Sequence, residues 1–288
     1  MKAWIVRLNE AVDYIESHLD GEISYDKAAN IAGCSTYHFL RMFAYIADVS
    51  LSEYIRRRRL TKAAFDLKEG GKVIDVALRY GYESPTAFNR AFRSIHGIAP
   101  SASKHESALL KAYLPIKFTM NIQGAHEMDY RIETRPAFEI VGISFTGKKS
   151  SDEFYACIPG FWDTIEENGV LKKLIGLIHE DPTGLLGICR ETAEGSAEYD
   201  IAVACSGPVP QGLAKMSVPS QTWAIFPGSG PMPQTIHEAY KRIMGEWLPL
   251  SGYEFADSLD IERYTAWGEK TNAFEILVPV QKKNKTVF

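Results

Sequence analysis

Ile31-Ala32-Gly33-Cys34-Ser35-Thr36-Tyr37-His38-Phe39-Leu40-Arg41-Met42-Phe43 reads as a helix end, a tight turn and a new helix start. Ser24 is placed to cap the short helix Lys27–Ala32, and Gly33 closes it in the manner of a left-handed C-terminal glycine. Ser35 then caps a helix whose apolar residues Phe39, Met42, Phe43 and Ile46 recur at three- and four-residue spacing. A short helix, a glycine turn and a second helix opened by serine form a helix-turn-helix pattern. The pattern returns downstream: Val73–Tyr80, then Gly81, then Ser84 with Pro85 at the first helical position, then Phe88 and Phe92 one turn apart. Gly33 and Gly81 lie 48 residues apart, as do Phe43 and Ala91, so the two copies run nearly in register.

Upstream, Trp4, Leu8, Ala11, Val12, Ile15 and Leu19 mark an opening amphipathic helix that Asp20-Gly21 ends. Leu51–Leu67 reads as one helix joining the two copies, and it carries Arg56-Arg57-Arg58-Arg59. Such a run is expected to be a solvated or internally paired helix face, with DNA contact as the alternative. Phe39, Phe43, Phe88 and Phe92 are expected in the core, and His38 in a structural or phosphate-touching role.

At 288 residues the chain suggests two domains, and 45% hydrophobic with 24% charged residues argues against disorder. Residues 1–105 hold 15 basic and 12 acidic residues, net +3; the remainder holds 17 and 24, net −7. A basic first third joined to an acidic remainder fits a DNA-binding module fused to one that does not touch DNA. No apolar run is long enough for a membrane span and the N-terminal apolar stretch is too short for a signal peptide, so the expected location is cytoplasmic. Cys34, Cys157, Cys189 and Cys205 are too scattered for a zinc site or disulfide framework, so reduced thiols are expected.

After Pro100 the texture changes. Residues 101–128 read as a linker with some helix, followed by strand-like segments at 130–134, 139–146, 185–189, 199–205, 215–218, 222–227, 260–265 and 274–280. Helices are expected around 152–167 and 233–248. These elements form two similar halves: Pro136 matches Pro219, and Tyr199–Val203 matches Phe274–Val278. The expected fold is multidomain: an all-α double helix-turn-helix domain, then an α+β domain of two repeated β-β-α-β-β units. Its boundaries fall at 1–108, a linker at 109–128, and 129–288. A groove near the pseudo-twofold axis is the expected ligand site.

Ser35–Phe43, Tyr54-Ile55-Arg56, Arg59–Ala63, Ile74–Ala77, Tyr80–Ser84, Phe88–Arg93 and Gly97–Pro100 resemble the double helix-turn-helix domain of the AraC/XylS family over about the first 105 residues. The resemblance implies two recognition helices entering adjacent major-groove segments of promoter DNA. On the first, Thr36, Tyr37 and Arg41 are expected to face DNA; on the second, Thr86, Asn89, Arg90 and Arg93. Arg90 suits bidentate reading of guanine, Arg93 and Lys72 suit phosphate, and Ser35 and Ser84 suit phosphate at the helix N-termini. Leu40 departs from the family, which carries a polar residue there, and the segment after Pro100 lacks the family's aromatic.

Gly245–Tyr253, Ile261–Tyr264 and Phe274–Val280 resemble GyrI-like effector-binding domains, and the joined arrangement is similar to that of Rob-type regulators. The resemblance implies a small lipophilic, often cationic effector held by aromatic walls and a carboxylate. Glu275 alternates with Phe274 and Ile276, so it is the leading carboxylate, with Asp200 as its repeat mate; the other reading of Glu275 is an exposed strand carboxylate. Tyr155, Trp162, Trp223, Phe226 and Trp267 are candidate walls, and Glu262 is expected to pair with an arginine. No nucleophile elbow, phosphate loop, dinucleotide fingerprint or HExxH is present, so no catalytic residue, cofactor or metal is expected. The expected activity is ligand-responsive transcription regulation, acting through domain orientation or contacts with RNA polymerase. A small-molecule hydrolase or a protein-interaction module in the second half is the alternative.

Overall fold

A computed structural model describes residues 2–119, 127–147, 152–191, 197–256, 259–266 and 272–283, with residues 2, 3, 152–156 and 191 described by backbone alone. It divides into two compact units, Met1–Asn121 and Ile122–Phe288. No helix among the described residues is long and apolar enough to cross a membrane.

Among the described residues the first unit holds six α-helices: α1 (Lys2–Ser17), α2 (Tyr25–Ala32), α3 (Thr36–Ala47), α4 (Leu51–Lys68), α5 (Val73–Arg79) and α6 (Pro85–His96). Serine side chains start four of them: Ser24, Ser35, Ser50 and Ser84 accept from the backbone N–H of Lys27, His38, Glu53 and Ala87. Gly33 and Gly81 sit at the two repeat turns with φ of 80° and 81°, a conformation that side chains with a Cβ disfavour. Phe39, Phe43, Phe88 and Phe92 are fully buried, and their spacing places each pair one turn apart against the core. Ser50→Ala removes the cap of the helix that joins the two copies. It is expected to lower unfolding free energy by about 1 kcal/mol, read from the denaturant midpoint.

The arginine run of α4 is internally paired. Arg56 and Arg57 both bond Glu53, Arg58 bonds Glu16 of α1, and Arg59 donates to the Leu19 and Gly21 carbonyls.

The segment expected to be a linker is not one over its first part. Residues 108–118 run without regular secondary structure along the helices, and side chains satisfy their backbone. Lys111 N donates to His96 Nδ1 (3.2 Å), Tyr113 N to Thr61 Oγ1 (3.1 Å) and Ile116 N to the Tyr54 hydroxyl (3.2 Å). Asn9 closes the strap with both ends of its amide, accepting from Phe118 N and donating to Phe118 O at 2.9 and 3.0 Å. The Phe118 ring meets Phe43 edge-on, and Leu110 and Tyr113 pack on the cluster around Phe88 and Phe92. The strap thus reaches from the second helix-turn-helix to the first. Among the described residues of this stretch the expected helix is one 3-10 turn, Ala102–Lys104.

The second unit contains β1 (Arg131–Arg135), β2 (Phe138–Gly147), α7 (Asp152–Glu167), α8 (Val170–Ile175), β3 (Leu185–Glu191), β4 (Ala197–Ala204), β5 (Ala214–Val218), β6 (Gln221–Gly230) and α9 (Gln234–Arg242). A π-helical turn (Ile243–Trp247), α10 (Leu248–Leu250), β7 (Tyr253–Phe255), β8 (Leu259–Ala266) and β9 (Asn272–Lys282) follow. All pairings are antiparallel, in the order β1-β6-β9-β8-β3-β4-β2-β5, with β7 added to β9. Read from either end this order exchanges the halves: β1 with β5, β6 with β2, β9 with β4, β8 with β3. The pseudo-twofold axis therefore passes between β3 and β8. Each half lends its first strand to the edge of the other, so the duplication is swapped rather than side by side.

Strand alternation separates the two faces. On one, Ile140, Leu186, Ile188, Ala202, Val218, Trp223, Ile225, Ile261 and Leu277 pack as a single buried cluster. The opposite face receives the helices: Trp162 of α7 reaches Tyr199 of β4, and Tyr240 of α9 bonds Asp260 of β8.

Candidate functional site

Of the two expected reading helices, α6 has its polar face in solvent. Ser84 caps it, Pro85 fixes its first turn, and Phe88, Phe92 and Ile95 anchor one side in the core. Helical spacing then turns Thr86, Asn89, Arg90 and Arg93 outward, and all four are exposed, as are Ser84 and Lys72, the residue that precedes α5. No acidic residue lies within α6, so its outer face offers two arginines, an amide and a hydroxyl. That combination suits base edges and phosphates together.

On α3 the structure departs from expectation. Ser35 is exposed, and Thr36 is half-buried with its hydroxyl bonded to Asp26, but Tyr37 and Arg41 are 1% and 4% exposed. Arg41 Nη1 donates to the Tyr37 hydroxyl at 2.7 Å, and the guanidinium lies between the rings of Tyr37 and Tyr45, 5.9 and 5.6 Å from their centroids. Helical phase directs both side chains away from Phe39 and Phe43, yet here the arginine is engaged by tyrosines of its own helix. His38 is also buried. Its Nδ1 meets Ser35 Oγ at 2.9 Å, and burial together with the Arg41 charge pulls its imidazole pKa down to about 3.

In the second unit the expected carboxylate is already paired. Glu275 lies on the same face as Leu277 and Trp223, and its two oxygens each accept from an arginine, Arg131 Nη1 and Arg263 Nη1, both at 2.8 Å. Burial tends to raise its pKa, but the two guanidiniums outweigh that and hold it below the ordinary value. Its charge is thus already compensated, which removes the reason for an effector cation to seek it. Asp200, its repeat mate, is fully buried and bonded by Arg190 Nε at 2.8 Å; burial wins there and pushes its pKa up. Trp223 is a core residue on this face, not a wall. Phe226 points to the helix side, where it packs edge-on against Trp247 at 4.9 Å and near Tyr130. Trp267 and the side chain of Tyr155 lie outside the described residues.

The helix-covered face brings together residues that the sequence reading had not joined. Glu262 stands on β8 beside the pseudo-twofold axis, directly across from Gly187 of β3. Its Oε2 accepts from the Tyr264 hydroxyl at 2.9 Å and the Tyr199 hydroxyl at 3.2 Å. Trp162 donates its indole N–H to the Tyr199 hydroxyl at 3.1 Å and sets its ring edge-on to Tyr264 at 5.3 Å. Burial, then the neighbouring Glu262 charge, lifts both phenols well above their usual pKa, so they remain donors. A carboxylate is therefore oriented by two phenols within an aromatic surround, an arrangement suited to an organic cation. Of the expected walls, Trp162 alone is placed here among the described residues. Sequence held a signal for this site: Gly187 pairs with Ile201 and Glu262 with Ile276, and the repeat matches Ile201 to Ile276. The duplicated axial position thus carries glycine in one half and glutamate in the other.

Residues 131–280 match the family described as integron-associated effector binding protein, Cass2, and residues 28–105 match the helix-turn-helix domain family. The Transposon Tn10 TetD protein of Escherichia coli is 38% identical over 95 residues, 33% of this chain and 69% of TetD. The HTH-type transcriptional activator AarP of Providencia stuartii is likewise 38% identical over 95 residues, 33% of this chain and 70% of AarP. A solved structure of SAV2435 bound to tetraphenylphosphonium aligns with 54% of this chain and 94% of its own, at 21% identity and a TM-score of 0.49. Both matched families are bounded by the two units described above, and the first covers half of the chain. The chain belongs to the AraC-type helix-turn-helix transcription regulators, joined to an effector-binding domain of the Cass2 and GyrI-like kind.

Proposed function

We propose that this regulator senses a lipophilic organic cation at Glu262 and reads promoter DNA chiefly through α6. The observation that carries the effector reading is the Glu262 carboxylate, oriented by the Tyr199 and Tyr264 hydroxyls beside Trp162. A cation that enters such a surround gains a charge partner and aromatic faces at once, whereas a neutral molecule of equal size gains only the apolar contact. Effector binding then alters promoter output through domain orientation or contacts with RNA polymerase.

Calorimetric titration of the full chain with methyltriphenylphosphonium, beside the nearly isosteric neutral triphenylphosphine oxide, tests the effector reading. Binding of the cation at least about tenfold tighter than the neutral compound is expected. Equal affinities, or none for either, would remove the charge from the reading.

For DNA, Arg90→Ala is expected to cost about 1–3 kcal/mol of specific binding while leaving non-specific binding nearly unchanged. Arg93→Ala, a phosphate contact in this reading, weakens both and flattens the salt dependence by about one unit of slope. Fluorescence anisotropy at several salt concentrations, on a site selected from random DNA by the protein itself, separates the two. An Arg90→Ala variant with undiminished preference for that site refutes the readout through α6.

A further inference from the structure

We propose that Gly187 is a positioning residue of the effector site: its missing side chain is what lets the Tyr199 hydroxyl reach Glu262. The inference rests on the effector reading above and adds a residue to it. Gly187 and Glu262 face each other across the β3–β8 pairing at the pseudo-twofold axis, so any side chain at 187 projects on the face that Glu262 occupies. A Cβ built there would stand 2.3 Å from the Tyr199 hydroxyl oxygen, 3.1 Å from the ring carbon that bears it and 3.2 Å from Glu262 Oε2. The first distance is incompatible with any real contact, and the hydroxyl has little room to yield. It is held between the Trp162 indole at 3.1 Å and Glu262 at 3.2 Å, in a residue that is 2% exposed.

The duplication explains why the position is empty. Two like halves place equivalent side chains next to each other at the axis, and a second carboxylate at 187 would set two like charges side by side. Glycine in the first half clears that slot, and the phenol of Tyr199 fills it. The repeat mate of Tyr199 is Phe274, which has no hydroxyl, and the mate of Tyr264 is Cys189. One carboxylate therefore collects a phenol from each half, and the site holds a single anionic centre on a frame built for two.

The test is a double-mutant cycle in the full chain: Gly187→Ala, Tyr199→Phe and both together, titrated with tetraphenylphosphonium, with thermal unfolding as the control. Gly187→Ala is expected to lose about tenfold or more in affinity and Tyr199→Phe less. The pair should fall within about twofold of Tyr199→Phe alone, because removing the hydroxyl removes the 2.3 Å clash and leaves only the contacts at 3.1 and 3.2 Å, which small shifts relieve. Independently of any ligand, the Trp162 indole N–H resonance should shift in Gly187→Ala and sit at the Tyr199→Phe position in the pair, while those of Trp4, Trp223 and Trp247 stay in place. An unmoved Trp162 resonance in Gly187→Ala, or losses that multiply in the pair, overturns the proposal. Should Gly187→Ala fail to fold, recovery of folding in the pair supports the clash with the hydroxyl, and failure of both overturns it. If the wild-type chain takes no cation while the resonance pattern holds, the effector reading falls and the positioning role stands.

Discussion

Arg58→Ala is expected to be the most damaging single change in the helical unit, lowering unfolding free energy by about 3–5 kcal/mol. The Arg58 side chain is 8% exposed and that of Glu16 is 16% exposed. The guanidinium grips Glu16 through Nε and Nη2 at 2.8 and 2.7 Å and also donates to the Tyr113 carbonyl of the strap. Tyr54 adds its hydroxyl to Glu16 at 2.7 Å. Removing the arginine leaves a largely buried carboxylate without its cation and a strap carbonyl without its donor, so the cost exceeds the net worth of the pair. The pH dependence tests this cause. Burial tends to raise the Glu16 pKa, but donation from Arg58 and Tyr54 outweighs it and holds the group below its ordinary 4.5. A depressed folded-state pKa means that the contribution is complete above about 4.5 and is lost as pH falls through the folded value. In Arg58→Ala the burial is opposed only by the Tyr54 hydroxyl and the Lys62 charge, and acid relieves it. Denaturation in urea should therefore show the gap between wild type and variant narrowing from pH 7 to pH 4; a constant gap would place the damage elsewhere.

Glu262→Gln is the second large effect, expected in binding and not in stability. Glutamine keeps an oxygen for the tyrosine hydroxyls, so the surround stays in place while the charge goes. Affinity for tetraphenylphosphonium should fall by about 2–3 kcal/mol, on the order of 30- to 150-fold. Glu275→Gln supplies the contrast. Its partners Arg131 and Arg263 lie on the other face of the sheet, so the change should weaken the fold modestly and leave cation affinity within about twofold. Titration of both variants beside wild type decides it: equal losses, or a loss in Glu275→Gln alone, would return the site to the carboxylate first read from the sequence.

Sequence stops being informative where one face of the sheet has to be told from the other. The helix-turn-helix pairs were legible because their signals are local: serine caps, glycine turns and phenylalanines one turn apart act within a few residues. The strands and their duplication were legible for the same reason. Choosing between Glu275 and Glu262 needs knowledge of which sheet face the helices cover, and alternation alone sorts residues into two faces without naming either. Trp223 illustrates the cost, since an aromatic suited to a ligand wall is equally suited to the core, and here it is core. Tyr37 and Arg41 differ from expectation in another way, by being buried. Their helical phase is as expected, but burial depends on surroundings that the helix's own periodicity does not encode. The strap was invisible because its backbone bonds go to side chains of distant helices, which leaves neither a 3.6- nor a 2-residue pattern.

The strap also bears on how such regulators are recombined. A breakpoint at residue 108, the boundary expected from the sequence, would strand His96, Thr61, Tyr54 and Asn9 with their polar atoms turned toward a chain that is no longer there. A DNA-reading half grafted onto a foreign sensor has to carry its own tail through Phe118. The exchangeable cassette in this architecture is therefore longer than its helices, and the natural seam lies beyond the last residue that Asn9 holds.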